Sequence, residues 1–236
     1  MPRIAPISSK LRRAGLLGLL LVWSAGTAAA SEVYTYKIEN PRLGEIGRYT
    51  DTVTQSGDDR RIVSQLRVVV RILGIVLHRE VADRTEVWHA GKLVRFDSLT
   101  TTNGDRVAVR GEAHDGSFVI TTPSGTETAS ADIRPSNPWS AQTSGARVLM
   151  STKTGALETV LQATADDAVI DVRGVPVPTR HFVFVTNKRQ EVWKDARGVP
   201  VRFLTDEPVG PIDFVLVDET TTADPNDHAG VEPAPR

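Results

Sequence analysis

Short turn signals recur at intervals of about ten residues along this chain, and they constrain its fold more than any other feature. Asn103-Gly104 and Asp115-Gly116 are the strongest signals, because a two-residue hairpin turn needs positive φ at both central positions. Such short links join antiparallel strands, since a parallel pair needs a long crossover. Valine and threonine, which favour strands, supply about a quarter of residues 31–236. The sequence therefore predicts an all-β, mainly antiparallel fold: a curved meander sheet or half-barrel with at most one or two short helices.

The same turn signals give the approximate bounds of the strands. Two prolines in the stretch Pro135–Trp139 exclude a central strand there, so this stretch is predicted to link an N-terminal run of strands to a C-terminal run. A short helix is predicted between 139 and 150. The predicted strands lie near 33–39, 46–55, 60–72, 75–81, 85–89, 92–102, 105–113, 117–122, 156–165, 168–173, 177–186, 189–194, 199–205 and 212–218.

Residues 1–30 have the features of an export signal. Four basic residues and no acidic ones precede an apolar run from Leu16 to Trp23, and Ala28-Ala29-Ala30 supplies small residues for cleavage before Ser31. The apolar run is shorter than the roughly 20 residues of a membrane-spanning helix, although an uncleaved anchor is the alternative. The sequence predicts a periplasmic or extracellular protein, with one β domain over 31–218 and a disordered tail over 219–236.

Two hairpins share a sequence pattern. Glu86-Val87-Trp88 is followed by Val94–Phe96, and Glu191-Val192-Trp193 is followed by Val201–Phe203. If each turn lies at a hairpin tip, Glu86 and Glu191 both face an arginine, and alternation places both tryptophans on the face opposite to valine and phenylalanine. Trp88 and Trp193 are therefore candidate ligand-binding residues on one concave surface. The alternative is that they simply cover a sheet face.

Several short motifs follow one another between residues 33 and 218. They are Glu86, Trp88, Gly91 and Leu93, then Asn103-Gly104, then Pro135, Pro138 and Trp139, then Thr154-Gly155, and finally Val192-Trp193, Asp195, Gly198 and Pro200-Val201. In this order they resemble an exported bacterial domain-of-unknown-function family, number 6134. That family is related to family number 3108 and to the half-barrel superfamily of the LolA/LolB lipoprotein carriers. The resemblance implies a curved antiparallel sheet around an apolar concavity, and it brings no activity or catalytic residue.

The sequence offers little reactive chemistry. It contains no cysteine, which excludes disulfides, thiolate catalysis and cysteine-bound zinc. Its five histidines form no close pair with metal-ligand spacing, and neither a nucleophile elbow nor a phosphate-binding glycine loop is present. Asp166-Asp167 is interpreted as a hairpin turn. Basic and acidic residues are nearly equal in number, at 28 and 29, which argues against nucleic-acid binding. We therefore expect no catalytic residue, no metal and no cofactor.

Two arginines on the third predicted strand are further candidates. Arg67 and Arg71 alternate with an apolar set, so they share one face while Leu66, Val68, Val70 and Ile72 share the other. One interpretation is a solvated outer face. The functional alternative is a basic rim that binds an anionic head group, and Arg67 and Arg71 are predicted as ligand-binding residues on that basis.

Three hypotheses about function follow. The first is an exported, non-catalytic β protein, expected to be a monomer, that binds a lipid-like or other apolar or amphipathic small molecule on its concave sheet face. The second is a structural or protein-interaction module of the cell envelope without a small ligand, in which an unpaired edge strand adds a strand from a protein partner. The third is an enzyme of an unfamiliar kind.

Overall fold

Every regular element in the described part of the chain is a β-strand, and the predicted all-β, mainly antiparallel fold is confirmed. The computed structural model describes residues 30–140, 147–207 and 210–223, and no helix occurs among them. The strands are β1 Ala30–Asn40, β2 Gly44–Ser56, β3 Asp59–Ile72, β4 Ile75–His89, β5 Lys92–Thr102, β6 Asp105–His114, β7 Ser117–Thr122, β8 Gly125–Ser130, β9 Arg134–Pro135, β10 Val148–Met150, β11 Leu157–Thr159, β12 Gln162–Val172, β13 Val175–Val185, β14 Arg189–Lys194, β15 Pro200–Glu207 and β16 Gly210–Ala223.

Thirteen of these strands form one sheet, in which the first and last strands of the chain lie side by side. The order is β12-β13-β14-β15-β16-β1-β2-β3-β4-β5-β6-β7-β8. Each neighbouring pair is antiparallel. Two meanders therefore meet where β1 pairs with β16, and the sheet ends in two edge strands, β8 and β12.

The sheet curves enough for strands six positions apart to reach the same short segment. Asn137 Nδ2 donates to Glu86 on β4, and Lys194 Nζ on β14 donates to the backbone oxygen of Trp139 at 2.9 Å. Asn137 and Trp139 are close neighbours in the chain, whereas a flat sheet would separate β4 from β14 by about 29 Å, at about 4.8 Å per strand. The buried face of the sheet is therefore concave and surrounds this segment.

The segment between β8 and β12 lies on the concave face, and we call residues 131–140 and 147–161 the inner segment. Its three short strands form a separate sheet of order β11-β10-β9, in which β9 and β10 are parallel. Pro135 and Pro138 keep it out of the large sheet, as predicted, because proline cannot donate to a strand ladder. Ile133, Trp139 and Met150 are buried in the main core. The protein therefore fills part of its own concavity.

An aromatic cluster holds the centre of the sheet together where the two meanders meet. Phe203 on β15 and Phe214 on β16 stack with ring centroids 4.2 Å apart, and Tyr49 on β2 meets both rings edge-on. Tyr36 on β1 packs edge-on against Phe203 and donates its hydroxyl to Pro200 O at 2.8 Å. Such aromatic pairs contribute about 0.5–1.5 kcal/mol each beyond their area burial. The cluster thus couples the N-terminal and C-terminal halves of the chain.

Several local predictions differ from the structure. Asp166-Asp167 does not form a turn but lies within β12, because the chain turns instead at Arg173-Gly174, where both residues have positive φ. Residues 148–150, at the end of the predicted helix, form β10, and residues 141–146 lie outside the described part. The last strand continues to Ala223 beside β1, so the ordered domain extends beyond residue 218. Residues 1–29 of the predicted export signal and residues 224–236 of the tail lie outside the described residues, and Ala30 is the first residue of β1.

Candidate functional site

A cavity of about 1210 Å³ lies between the concave face of the sheet and the inner segment. Apolar side chains from β2, β3, β15 and β16 form much of its wall: Tyr49, Leu66, Val68, Val70, Phe203 and Phe214. On β3 this wall follows from strict alternation, since every second side chain points to the same face. The inner segment supplies the opposite wall through residues 136–138, 151–154 and 156–159. The cavity is therefore larger and more apolar than a site for a small polar metabolite needs.

Turn residues at one end of the sheet form the rim of the cavity. The turns that follow β1, β3 and β13 all lie at this end, because successive strands run in opposite directions, and we call it the open end. Arg42, Ile72 and Lys188 line the cavity there. Lys188 Nζ lies 2.6 Å from Glu207 Oε1 and forms an ion pair with it. The rim thus combines charged groups with apolar ones.

A second polar group on the rim ties the inner segment to the sheet. Lys153 Nζ donates to Glu80 Oε2 at 2.6 Å, and His78 Nε2 lies 3.7 Å from the same oxygen. Thr102 Oγ1 donates to it at 3.3 Å. Glu80 therefore accepts hydrogen bonds from Lys153 and Thr102 at the open end, with His78 nearby, and a ligand with a polar group would meet partners there.

Below the cavity, Asp51 on β2 is a buried carboxylate that anchors the inner segment. Ser64 Oγ donates to Asp51 Oδ1 at 2.5 Å, and Trp139 Nε1 donates to Asp51 Oδ2 at 2.7 Å. Burial raises the pKa of Asp51 to about 6, although both hydrogen bonds act in the opposite direction by stabilising the carboxylate. The carboxylate thus joins β2, β3 and the inner segment at one point.

Glu86 on β4 is a second buried carboxylate that anchors the inner segment. Trp88 Nε1 donates to Glu86 Oε2 at 3.0 Å, and Asn137 Nδ2 donates to Glu86 Oε1. Burial raises the pKa of Glu86 to about 7, and the nearby negative charge of Asp51 adds to the effect. Two buried carboxylates therefore hold residues 137–139 in place.

Three cationic side chains share this interior with the carboxylates. The guanidinium of Arg60 lies 4.9 Å from the ring centroid of Trp139. Burial lowers the pKa of Lys194 to about 7, and the positive charges of Arg60 and Arg134 lower it further. Arg84 on β4 lines the cavity itself. Charged groups of both signs are therefore concentrated beneath an apolar cavity.

The two matched hairpins do not place their tryptophans on one surface, so the prediction of a shared face is wrong. In the first hairpin Glu86 pairs with Phe96 and Trp88 is buried on the concave face. In the second, Trp193 pairs with Arg202 and lies on the outer face, where it stacks on His181 with centroids 4.3 Å apart. A one-residue difference in register moves every side chain to the opposite face, and irregular pairing at the tips of both hairpins makes such a slip easy.

The two candidate arginines also lie away from the cavity wall. Arg67 is on the outer face of β3, where its Nη2 is 2.8 Å from Asp83 Oδ1. Arg71 is exposed near the tip of the β3–β4 hairpin. Trp88, Trp193, Arg67 and Arg71 are all absent from the cavity lining, and their ligand-binding role stays a prediction.

The residues that line the cavity were only partly visible in the sequence. Alternation in β3 had already placed Leu66, Val68, Val70 and Ile72 on one face, and that face is the apolar wall. Arg84 gives no comparable signal, because it is one of two arginines in a strand of mixed composition. Its position in the cavity depends on the curvature of the whole sheet.

The described residues contain no group of three histidine, aspartate or glutamate side chains placed to hold a metal ion. In the same part of the chain, no helix is long and apolar enough to cross a membrane.

Comparisons with known proteins agree with this architecture. A family model described as "Domain of unknown function (DUF6134)" matches residues 42–217, so the chain belongs to that family. A crystal structure from Brucella abortus, described as a beta-barrel-like protein of domain of unknown function DUF1849, is similar with a TM-score of 0.55 and 12% sequence identity. The match covers 82% of this chain and 97% of that chain, and at this identity it shows the fold alone. No curated protein matches the chain.

Proposed function

We propose that this member of the DUF6134 family binds a ligand with a long apolar part in the cavity on its concave face, and that it catalyses no reaction. The observation that carries the proposal is the cavity of about 1210 Å³ with a largely apolar wall. Pockets for drug-sized ligands are typically about 300–1,000 Å³ and mostly apolar, with a few polar groups that orient the ligand. A lipid or a long acyl chain fits this size and this chemistry.

The polar groups at the open end and beneath the cavity favour an amphipathic ligand over a purely apolar one. The rim carries the Glu80–Lys153 pair, and Arg84 lies on the wall. The proposed relationship of the DUF6134 family to the half-barrel superfamily of the LolA/LolB carriers, whose concavity takes acyl chains, favours the same ligand class by analogy of fold. The inner segment occupies part of the concave face, and the cavity remains between this segment and the sheet.

Titration with a fluorescent long-chain polyene fatty acid tests this proposal. We expect saturable one-to-one binding to the wild-type protein. The double variant Val68→Trp/Val70→Trp should weaken it at least tenfold, because both side chains point into the cavity. Val63→Trp/Gln65→Trp is the matched control, since these residues lie on the outer face of the same strand. The absence of saturable binding to the wild type, or equal binding to both double variants, would contradict the proposal.

We also propose that the chain is exported to the periplasm or beyond, on the strength of the basic, apolar and small-residue regions of residues 1–30. Expression of the full chain in a bacterium with fractionation and N-terminal sequencing tests this. A periplasmic or secreted protein that starts at Ser31 is the expected result. A cytoplasmic protein that retains Met1 would contradict it.

An interaction with an envelope protein is the second candidate function, and the edge strand β12 favours it. Val169 within this strand and Leu161 just before it are 67% and 74% exposed, which is high for large apolar residues. An unpaired edge can accept a strand from another chain. A photo-crosslinking residue at Val169 should then capture one defined protein in cells, whereas recovery of uncrosslinked monomer would oppose this function.

A further inference from the structure

Arg84, on the wall of the cavity, forms no ion pair with another of the described residues. Its side chain is on the concave face of β4, between the inward-facing Ala82 and Glu86. Its Nε atom is buried and has no hydrogen-bond partner. A guanidinium keeps its charge in proteins and offers five donors, so unpaired donors on a cavity wall are costly unless something binds them.

The neighbouring carboxylates do not fill this role. Asp51 and Glu86 lie close enough to Arg84 to interact with its charge. Both accept their hydrogen bonds from other side chains, namely Ser64, Trp139, Trp88 and Asn137. Arg60 adds further positive charge to the same interior. The Nε donor of Arg84 is enclosed by protein, so its terminal Nη donors are the ones that remain available to a negatively charged group that enters the cavity.

We infer that Arg84 binds the anionic head group of an amphipathic ligand, a carboxylate or a phosphate, while the apolar chain lies along the β3 wall. This inference rests on the proposed ligand-binding function. Arg84 pairs with Ser64 on β3, and Leu66, Val68, Val70 and Ile72 continue from there along the same face toward the open end. Arg84 and the rim residue His78 are about 20 Å apart along β4, at about 3.4 Å per residue. This distance leaves room for an extended chain, and an arginine suits such a head group because it can donate two parallel hydrogen bonds.

The test compares two probes with the same chain, a long-chain fatty acid and the corresponding fatty alcohol. Arg84→Met should weaken fatty-acid binding about tenfold to a hundredfold, as expected for loss of a charged hydrogen bond. Binding of the alcohol should change little. Arg84→Lys should retain part of the affinity for the acid, and Arg61→Met is the control, because Arg61 is exposed on the outer face of β3. A thermal unfolding curve for each variant verifies that it is folded.

The outcomes separate this inference from the function on which it depends. If the wild type binds neither probe, the proposed function fails. If it binds both and Arg84→Met weakens both equally, the ligand-binding function stands and the assignment of Arg84 to the head group is overturned. Displacement of the fatty acid by acetate alone would assign Arg84 to a free anion and would also overturn it.

A separate observation concerns the β3–β4 hairpin, which projects from the open end beyond its neighbours. Pairing of β2 with β3 ends at Val68, and pairing of β4 with β5 ends at Glu80. Between these points the two strands pair with each other up to Ile72 and Ile75. The four residues that follow Val68, up to Ile72, correspond to about 14 Å of projection. The hairpin tip therefore extends away from the body of the sheet.

The projecting tip is apolar and flanked by unpaired cations. Five large apolar side chains are exposed there: Ile72 at 47%, Leu73 at 97%, Ile75 at 65%, Val76 at 50% and Leu77 at 56%. Arg71 and Arg79 flank them, are exposed, and form no ion pair with another described residue. Residues 69–79 contain no acidic side chain. Exposed apolar groups beside basic ones are the chemistry of a surface that enters the interface of an anionic membrane.

We propose that the hairpin tip inserts into the head-group region of an anionic lipid bilayer. An interfacial element typically enters by about 5–10 Å, which is within the projection of this hairpin. Leu73, Ile75 and Val76, which are outside the cavity lining, would lie among the upper acyl chains, and Arg71 and Arg79 would contact phosphates. This proposal is independent of what the cavity binds.

Flotation with vesicles tests the proposal. Wild-type protein should float with vesicles of phosphatidylcholine mixed with phosphatidylglycerol, and less with phosphatidylcholine alone. Leu73→Ser/Ile75→Ser should lose most of this binding. Val169→Ser/Val175→Ser is the matched control, since it removes two exposed apolar side chains from the β12–β13 hairpin. Equal flotation of the two double variants would overturn the proposal. So would a dimer in solution that the tip variant converts to monomer, which would make the tip a contact between two copies of the chain.

Discussion

Replacing Asp51 with asparagine should change how the stability of the protein depends on pH. The Asp51 carboxyl is buried, and its pKa is raised from 3.8 to about 6. The folded state therefore binds the proton of the Asp51 carboxyl more tightly than the unfolded state does. The contribution of protonated Asp51 to the free energy of unfolding is therefore fully present below about pH 4, and it is lost as the pH rises through about 6. Asparagine does not titrate, and its side-chain oxygen can still accept from Trp139.

The size of the effect follows from the shift. Raising the pKa from 3.8 to about 6 corresponds to about 3 kcal/mol, because each pKa unit is worth about 1.4 kcal/mol. Relative to Asp51→Asn, the wild type should therefore lose about 3 kcal/mol of unfolding free energy between about pH 4 and pH 7. Glu86 should behave alike over a window that reaches about pH 7. The two effects should not add fully, since the charge of Asp51 itself raises the pKa of Glu86.

Urea unfolding of wild type and Asp51→Asn at several pH values between about 4 and 8 measures this effect, because the difference between the two curves removes the contribution of distant groups. Asp83→Asn is the control, since that carboxylate is half-exposed on the outer face and solvent screens its interactions. A difference between wild type and Asp51→Asn that does not change with pH would refute the reasoning.

Three further predictions concern stability alone, and chemical unfolding measures each. Gly47→Ala should destabilise the protein severely, because a Cβ at this position would lie 2.1 Å from the backbone oxygen of Arg67; a variant with wild-type stability would contradict this close contact. Phe96→Ala should cost about 3–5 kcal/mol, since its fully buried side chain would leave a cavity; a loss below about 1 kcal/mol would mean the site collapses or is not packed. Arg197→Ala should cost less than about 1 kcal/mol despite its pair with Glu219, because the arginine is half-exposed; a loss of several kcal/mol would contradict that estimate.

The fold class could be predicted because local signals in this sequence agree with each other. Turn signals such as Asn103-Gly104 mark true hairpin turns, and both residues have positive φ in the structure. Alternation along β3 correctly separates the cavity wall from the outer face. Asp166-Asp167 shows where local reasoning fails. A pair of acidic residues suits a turn, but here Asp167 pairs with Arg180 across the strands, and the chain turns at Arg173-Gly174.

The candidate site could not be predicted in full because it depends on contacts between distant parts of the chain. The sequence places Glu86 opposite an arginine, whereas in the structure it pairs with Phe96, is buried and accepts a hydrogen bond from Asn137, 51 residues away. This contact offsets only part of the cost of burying a carboxylate, since the pKa of Glu86 is still raised to about 7, and no local pattern records it. The repeated Glu-Val-Trp triplets correctly predict that each lies in a β-hairpin. The two triplets place the same side chains on opposite faces of the sheet, because the register is set by the pairing of whole strands.

The most direct test of the central claim is native mass spectrometry of the mature protein, isolated from expressing cells without detergent and titrated with a long-chain fatty acid. The account predicts a single adduct per chain, formed either with a retained cellular lipid or with the added acid, and lost in Val68→Trp/Val70→Trp. A protein that keeps its unliganded mass at every concentration of fatty acid would contradict the account, and would make the edge strand β12 and a protein partner the stronger explanation of its function.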